Sequence, residues 1–387
     1  MFPQLDPNQA AYQARLIVSI LGVLLFFSLA IWMIHRKQKS KSSETDTSVV
    51  EIPDTIDLAS TLDMGLNSLS SEEQSNRTSG LEQAYQEWKS KRLLQAEETH
   101  ALFLRTGVEK NGLRYQLVAS SQVQAIAILI TAIMAQSDPQ ASVQAEALFA
   151  SLLAHPAYGQ SQLTSWKYLP DLPRSPKLDP DPHAEAWVIY ALLKATKRLP
   201  GMNRFHYSEL ISERLDALEH YVKTLEPEQI EQLPFNGYLI KHLLKLKPNL
   251  DGTLLGRSEA QLLARLYEQE DISSDPDSSK LAMSLFQLGL LAYLDHDPNA
   301  QDAIIKAQPA LTRLIEDNLI GQPTNAEFSR ITLLACAAPV VLALKNQKLN
   351  NRVWDELASS QPDKNDGLGA TLQLVGMALL ADQQIVS

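Results

Sequence analysis

Two glutamines and no acid begin the apolar stretch SSQVQAIAILITAIM, Ser120–Met134. An amide donates and accepts hydrogen bonds but does not titrate. Gln122 and Gln124 therefore suit contact with a polar ligand or pairing with nearby backbone, not proton transfer. Ser120 or Ser121 is placed to cap the helix that this spacing predicts. A second polar helix start, DPHAEAWVIYALLKA, spans Asp181–Ala195. There Asp181 reads as an N-cap, Pro182 as the first helical residue, and Glu185 as a first-turn acid that complements the helix dipole. Asp275 and Asp277 stand before SSKLAMSLF, again as caps. Aromatic residues near these starts are Trp88, Trp166, Tyr168 and Trp187. Core packing is the expected place for Trp88 and Trp187, whereas Trp166 and Tyr168 open the Pro-rich loop YLPDLPRSPKLDPDP and are the better cleft residues.

Other chemistry has few residues to run on. There is no Gly-rich phosphate loop, no Gly-x-Ser-x-Gly elbow and no clustered Cys/His set, so no cofactor and no metal are expected. His183, His206 and His220 are too dispersed to form a site. The one cysteine, Cys336, lies in the apolar run TLLACAAPVVLAL and reads as a buried, inert thiol. A net charge of −11 without a basic stripe excludes nucleic acid as a partner.

These residues must be carried by helices. From Leu81 to Ser387 apolar residues recur at three- and four-residue spacing in about a dozen segments, among them 81–105, 118–136, 183–197, 279–294 and 299–317. Sustained alternation of the strand type is absent. No fixed period recurs, which disfavours a solenoid. A long Pro-rich loop inside a compact domain suits an α/α barrel whose loops build a groove at one end.

Ahead of this domain, residues 1–15 form a short tail and LIVSILGVLLFFSLAIWMI, Leu16–Ile34, is 19 residues without a charge, long enough to cross a bilayer as a helix. Basic residues follow this run instead of preceding it, so a permanent anchor is expected and not a cleaved signal peptide. Arg36, Lys37, Lys39 and Lys41 against Arg15 alone place the C-terminal side in the cytoplasm. Residues 35–80 are rich in Ser, Thr and acids and read as a disordered tether.

Several of these patterns, in order, resemble the family 8 glycoside hydrolases, and among them the endoglucanase encoded with bacterial cellulose synthases. Trp88-Lys89 is similar to the family's Trp-x-x-Trp-Lys opening, with Tyr85 in the first Trp position. SQVQAIAIL resembles its Ser-Glu-Gly-x-Gly-Tyr-Gly helix start, DPHAEAWVIYALLKA its Asp-Ala-Asp-Leu-x-Ile-Ala-Tyr-Ala-Leu-Leu helix, and SSKLAMSLFQLGLLAYLDHDPNA its late Tyr-Asp-Ala-x-Arg helix. EFSRITLLACAAPVVLAL and DGLGATLQLVGMALL match its apolar closing helices.

The resemblance implies an (α/α)6 barrel that cuts β-1,4-glucan with inversion, using one carboxylic acid and one opposed carboxylate. In the register that keeps Ser121, Gln124, Ala125 and Ala127, the family's acid falls at Gln122, its glycines at Val123, Ala125 and Ala127, and its tyrosine at Ile126. His183 and Glu185 fall where the family has Asp, and Trp187 occupies a variable position that is often aromatic. The family's base falls at Leu281 in one register and at Asp277, with Lys280 as the Arg, in another.

The expected protein is thus all-α: an (α/α)6 barrel-like domain over 81–387 behind a single transmembrane helix. The expected function is a catalytically silent glycosidase-like module in a bacterial inner membrane, its soluble domain cytoplasmic (periplasmic being the alternative). Its partners would be a polysaccharide or a protein of polysaccharide synthesis or envelope assembly. An active endoglucanase using Glu185 and Asp277, and a plain helical scaffold, are the alternatives. The expected sugar contacts are Trp88, Gln124, Trp166, Tyr168 and Trp187.

Overall fold

The computed structural model describes residues 69–97, 101–111, 114–170, 178–199, 207–225, 239, 243, 278–320, 330–361 and 366–381. These belong to one unit within Thr55–Ser387. Leu16–Ile34, most of the expected tether, and Asp277 lie outside them. Among the described residues no helix is long and apolar enough to cross a membrane.

Helix α1, Ser71–Arg92, starts inside the stretch read as tether and ends well short of residue 105. Its start is a capping box. Ser70 Oγ accepts from Glu73 N at 3.2 Å, and the Glu73 carboxylate accepts from Ser70 N at 3.1 Å. The helix is mostly polar, and Leu81, Tyr85 and Trp88, flanked by the buried Arg77 and Arg92, fall at three- and four-residue steps that bury a single face.

Three other helices have no polar side. α2, Ser121–Ile133, α9, Arg330–Ala343, and α11, Gly367–Ala381, carry at most one charged residue each and are buried nearly throughout. Such helices have no face to offer water and must sit inside a ring. They do so together with α4, Pro182–Arg198, and α6, Ser278–Tyr293: α6 packs on α9, α9 on α11, α11 on α2, and α2 on α4. Outside this arc lie α1, then α3, Ala141–Leu153, α5, Tyr207–Thr224, α7, Pro298–Lys306, α8, Gln308–Ile320, and α10, Gln347–Ser359. Trp187 of α4 stacks on Phe286 of α6 with ring centroids 5.5 Å apart, so the interior is filled with side chains.

Two glycines set how closely the inner helices approach. A Cβ on Gly289 of α6 would stand 2.6 Å from Val340 N and 2.8 Å from Pro339 Cγ of α9. On the other side of α9, a Cβ on Gly376 of α11 would meet Ala335 O at 3.0 Å. Ala335 is the carbonyl four residues before Pro339, which has no N–H to give it. Gly289→Ala forces backbone apart and is expected to cost about 1–3 kcal/mol. A thermal melt unchanged within a degree would contradict that contact.

α1 is fastened to the opposite end of the sequence. Arg77 donates to Asn350 Oδ1 at 3.0 Å, to Leu380 O at 3.1 Å and to Asn351 Oδ1 at 2.7 Å, and its guanidinium lies 5.0 Å from the Trp354 ring centroid. Trp88 Nε1 donates to Thr371 Oγ1 at 3.1 Å.

The all-helical expectation needs one amendment. Short strands gather near the N-terminal ends of α2 and α4: β1, Leu93–Gln95, β2, Leu102–Leu104, β3, Gly107–Asn111, β4, Arg114–Ser120, β5, Pro156–Ala157, β6, Gln160–Thr164, and β7, Lys167–Tyr168. All pairings are antiparallel, β1 with β2, β3 with β4, β4 with β7, and β5 with β6. The expected helix 299–317 is also two helices, α7 and α8, parted at Ala307.

Candidate functional site at the mouth of the ring

β4 runs straight into α2, and its last residues pair with β7, Ala119 with Tyr168 and Ser120 with Lys167. That pairing brings Trp166 beside the first turn of α2. Ser121 N donates to Trp166 O at 3.0 Å, and Ser121 Oγ donates to Ser165 O. The cap therefore comes from the neighbouring hairpin; Ser120 makes no side-chain cap.

Next to this junction Gln122 is half-buried, and no hydrogen bond or ion pair among the described residues engages its amide. Trp166 is 41% exposed, with Lys167 Nζ 4.6 Å from its ring centroid. A donor–acceptor amide and an exposed aromatic ring thus belong to one strand–helix junction at the positive end of a helix dipole. Together they can hold a hydroxyl-bearing ligand by hydrogen bonding and stacking.

The other expected contacts do not open onto the mouth. Gln124 is fully buried: Leu104 N donates to its Oε1 at 2.9 Å and its Nε2 donates to Leu104 O at 2.8 Å, so it pins β2 and has nothing left for a ligand. Trp187 is sealed in the core, and Trp88 packs against Tyr85. Tyr168 is 2% exposed, stacked on His155 at 4.1 Å and hydrogen-bonded to Ser151, not open to a cleft. Burial pushes its hydroxyl pKa up, although the Ser151 hydrogen bond opposes this.

Glu185 is likewise consumed. Its Oε2 accepts from Thr164 N and Thr164 Oγ1, both at 3.0 Å, and its Oε1 pairs with Arg214 of α5. Both partners are buried, so this carboxylate ties β6, α4 and α5 together and cannot move a proton at the mouth. The capping roles hold: Asp181 accepts from His183 N at 2.8 Å, and Pro182 is the first residue of α4. Asp366, which sequence reasoning did not single out, caps α11 by accepting from Gly369 N at 2.6 Å. Arg214 and Thr164 were also missed, since no local pattern marks a partner 29 or 21 residues away.

His183 is 5% exposed, and among the described residues neither of its ring nitrogens has a hydrogen-bond partner. Burial pushes its pKa down from 6.5, with Asp181 pulling the other way. The folded protein thus keeps this ring neutral while the unfolded chain takes up a proton below about 6.5. Stability is full above that value and falls as pH drops toward the depressed folded pKa. Asp138 does not share the window: burial would raise its carboxyl, but bonds from Lys89, Gln140 N and Tyr85 hold it below its usual 3.8. The melting temperature is expected to fall between pH 7.5 and 5.5, and His183→Phe to flatten that slope. An unchanged slope in the variant would show that another group sets it.

Among the described residues no group of acidic, His or Cys side chains could hold a metal ion. Cys336 is buried, and burial followed by the Asp366 charge raises its thiol pKa, which leaves it inert.

Among solved structures, the fold is similar to the β-1,3-1,4-glucanase from Paenibacillus sp. X4, with a TM-score of 0.62 and 14% identity over 80% of this chain and 92% of that one. It is similar to Rex8A from Paenibacillus barcinonensis, in complex with xylose, at a TM-score of 0.54 and 14% identity over 80% and 93%. A cold-adapted family 8 xylanase gives 0.53 and 15% identity over 80% and 91%. No family model matches the chain, and no curated protein does. The shared feature at this identity is the fold: a mostly helical (α/α)6 glycosidase architecture.

Proposed function

We propose that the mouth of the ring is a carbohydrate-binding surface on a membrane-tethered glycosidase-like module that does not hydrolyse what it binds. The observation that carries this reading is the unengaged Gln122 amide at the same strand–helix junction as the exposed Trp166 ring, in a fold similar to that of a glucanase and of xylanases. Among the described residues, the Glu185 carboxylate is occupied by Arg214 and Thr164, and those of Asp181 and Asp366 by helix caps. The bound material would be a polysaccharide, and the protein partners those of its synthesis or of envelope assembly. Leu16–Ile34 would hold the module in the inner membrane.

Full-length protein, kept in a detergent without a sugar headgroup, should be retarded in gels that contain carboxymethyl-cellulose, mixed-linkage β-glucan or xylan. Trp166→Ala should weaken the interaction by roughly fivefold, the equivalent of about 1 kcal/mol of stacking. Unaltered mobility in every gel would sink the reading. The basic residues after the anchor place the C-terminal side in the cytoplasm. A C-terminal alkaline phosphatase fusion should accordingly be inactive; an active one reverses the topology.

A further inference from the structure

The flank of the ring carries a second concavity that shares no residue with the mouth. It lies between α1, the C-terminal end of α10 and α11, and has a volume of about 400 Å3, within the range of roughly 300–1,000 Å3 usual for ligand pockets. Its floor is apolar, formed by Trp88, Leu374 and Met377. Gln83, Glu87 and Lys91, one turn apart on α1, make one wall, and Ser360 and Gln361 border it from α10 and the residues beyond.

Two features narrow what fits. Of the three charged residues on the α1 wall, Lys91 pairs with Glu87 at i,i+4, and Arg92 is buried and has a partner of its own. The remaining polar groups are amides and hydroxyls, which recognise neutral donors and acceptors. Gln373 adds a demand of its own. Its Nε2 donates to Leu357 O at 2.6 Å and to Ser360 O at 2.8 Å. Both partners are acceptors, so the amide cannot be flipped, and its Oε1 is left buried with no donor among the described residues. A buried acceptor without a donor is costly, and a hydroxyl brought to the cleft border relieves it.

We propose that this cleft binds a neutral sugar. An apolar face lies on Trp88, Leu374 and Met377, and hydroxyls meet Gln83, Gln361 and Gln373. This goes beyond the mouth reading and uses none of its residues. The test is calorimetric titration of the full-length protein, in detergent without a sugar headgroup, with cellobiose and xylobiose as probes.

Binding is expected to persist in Trp166→Ala. On that background Gln83→Ala with Gln361→Ala should lower affinity about tenfold or more, since each removes a hydrogen bond. Ala84→Trp, which fills the cleft from the α1 side, should abolish it. Should Ala84→Trp melt early, the Gln83/Gln361 variant carries the test, because both side chains stand at the border and not in the core. Disaccharide binding that vanishes with Trp166→Ala, or that ignores both cleft changes, overturns this inference and leaves the mouth reading in place. Disaccharide binding that responds to the cleft changes and persists in Trp166→Ala supports the cleft, and the gel mobilities with Trp166→Ala judge the mouth separately. A wild-type protein that binds neither disaccharide overturns the cleft outright.

Discussion

Arg214→Ala should be among the most destabilising single changes in the protein, costing about 3–5 kcal/mol. Its guanidinium and the Glu185 carboxylate are 3% and 1% exposed, so removing one partner strands a charge where water cannot reach it. Thr164 still supplies two hydrogen bonds to the other oxygen, which keeps the loss from being larger. Arg214 also covers the Phe149 ring at 5.6 Å, so some packing goes with the charge. Against a total stability of roughly 5–15 kcal/mol for a folded domain, this is a large fraction. Urea denaturation should show it as a shifted midpoint. Arg214→Met combined with Glu185→Gln should cost less than Arg214→Ala alone, because no charge is stranded and the glutamine carbonyl still accepts from Thr164. A single variant that loses less than about 1 kcal/mol would mean that water reaches the pair.

Purified full-length protein should release no reducing sugar from carboxymethyl-cellulose, mixed-linkage β-glucan or xylan above the blank, and Gln122→Glu should not change that. A positioned general acid is worth on the order of 10²–10⁴ in rate, and loss of the opposing base compounds it. Restoring a carboxyl at position 122 restores only one of the two. It would also be followed directly by Val123, which is 3% exposed and stands where the family the chain resembles has a glycine, and Ile126 stands where that family has a tyrosine. Glu185 cannot stand in, because both its oxygens are committed. Turnover by the wild type that is abolished by Asp277→Asn would identify Asp277 as a working carboxylate and make the protein an enzyme.

The inner helices were the most legible part of the fold. Uniformly apolar runs such as LLACAAPVVLA admit few placements other than the centre, and the structure puts them there. Ends and interruptions were harder. Ser70 to Glu73 fits the S-x-x-E capping pattern, yet the polar composition around it read as tether, because α1 takes its apolar stripe from a few widely spaced residues. The strands escaped because the longest, β4, has seven residues and several have two or three, too short for alternation to rise above chance. At the site, Gln122 and Gln124 look alike in sequence and differ completely in place. Two residues along a helix turn the side chain by about 200°, enough to send one amide to the backbone of β2 and leave the other unengaged. Trp166 and Tyr168 diverge for a similar reason, since residue type does not say which of two neighbouring aromatics the β4–β7 pairing turns inward.

The clasp of Arg77 on Asn350, Asn351 and Leu380 has a consequence for biogenesis. Its hydrogen bonds join residues separated by 273 to 303 positions. A ribosome has therefore made nearly the whole domain before α1 can find its seat. Until then α1 has only its nearer partner, Asp138, which Tyr85 and Lys89 reach across about 50 residues, while Trp88 waits for Thr371, and contacts this distant in sequence form slowly. The nascent chain carries an exposed aromatic helix close behind an apolar segment, the kind of species that chaperones retain and that aggregates when they are scarce.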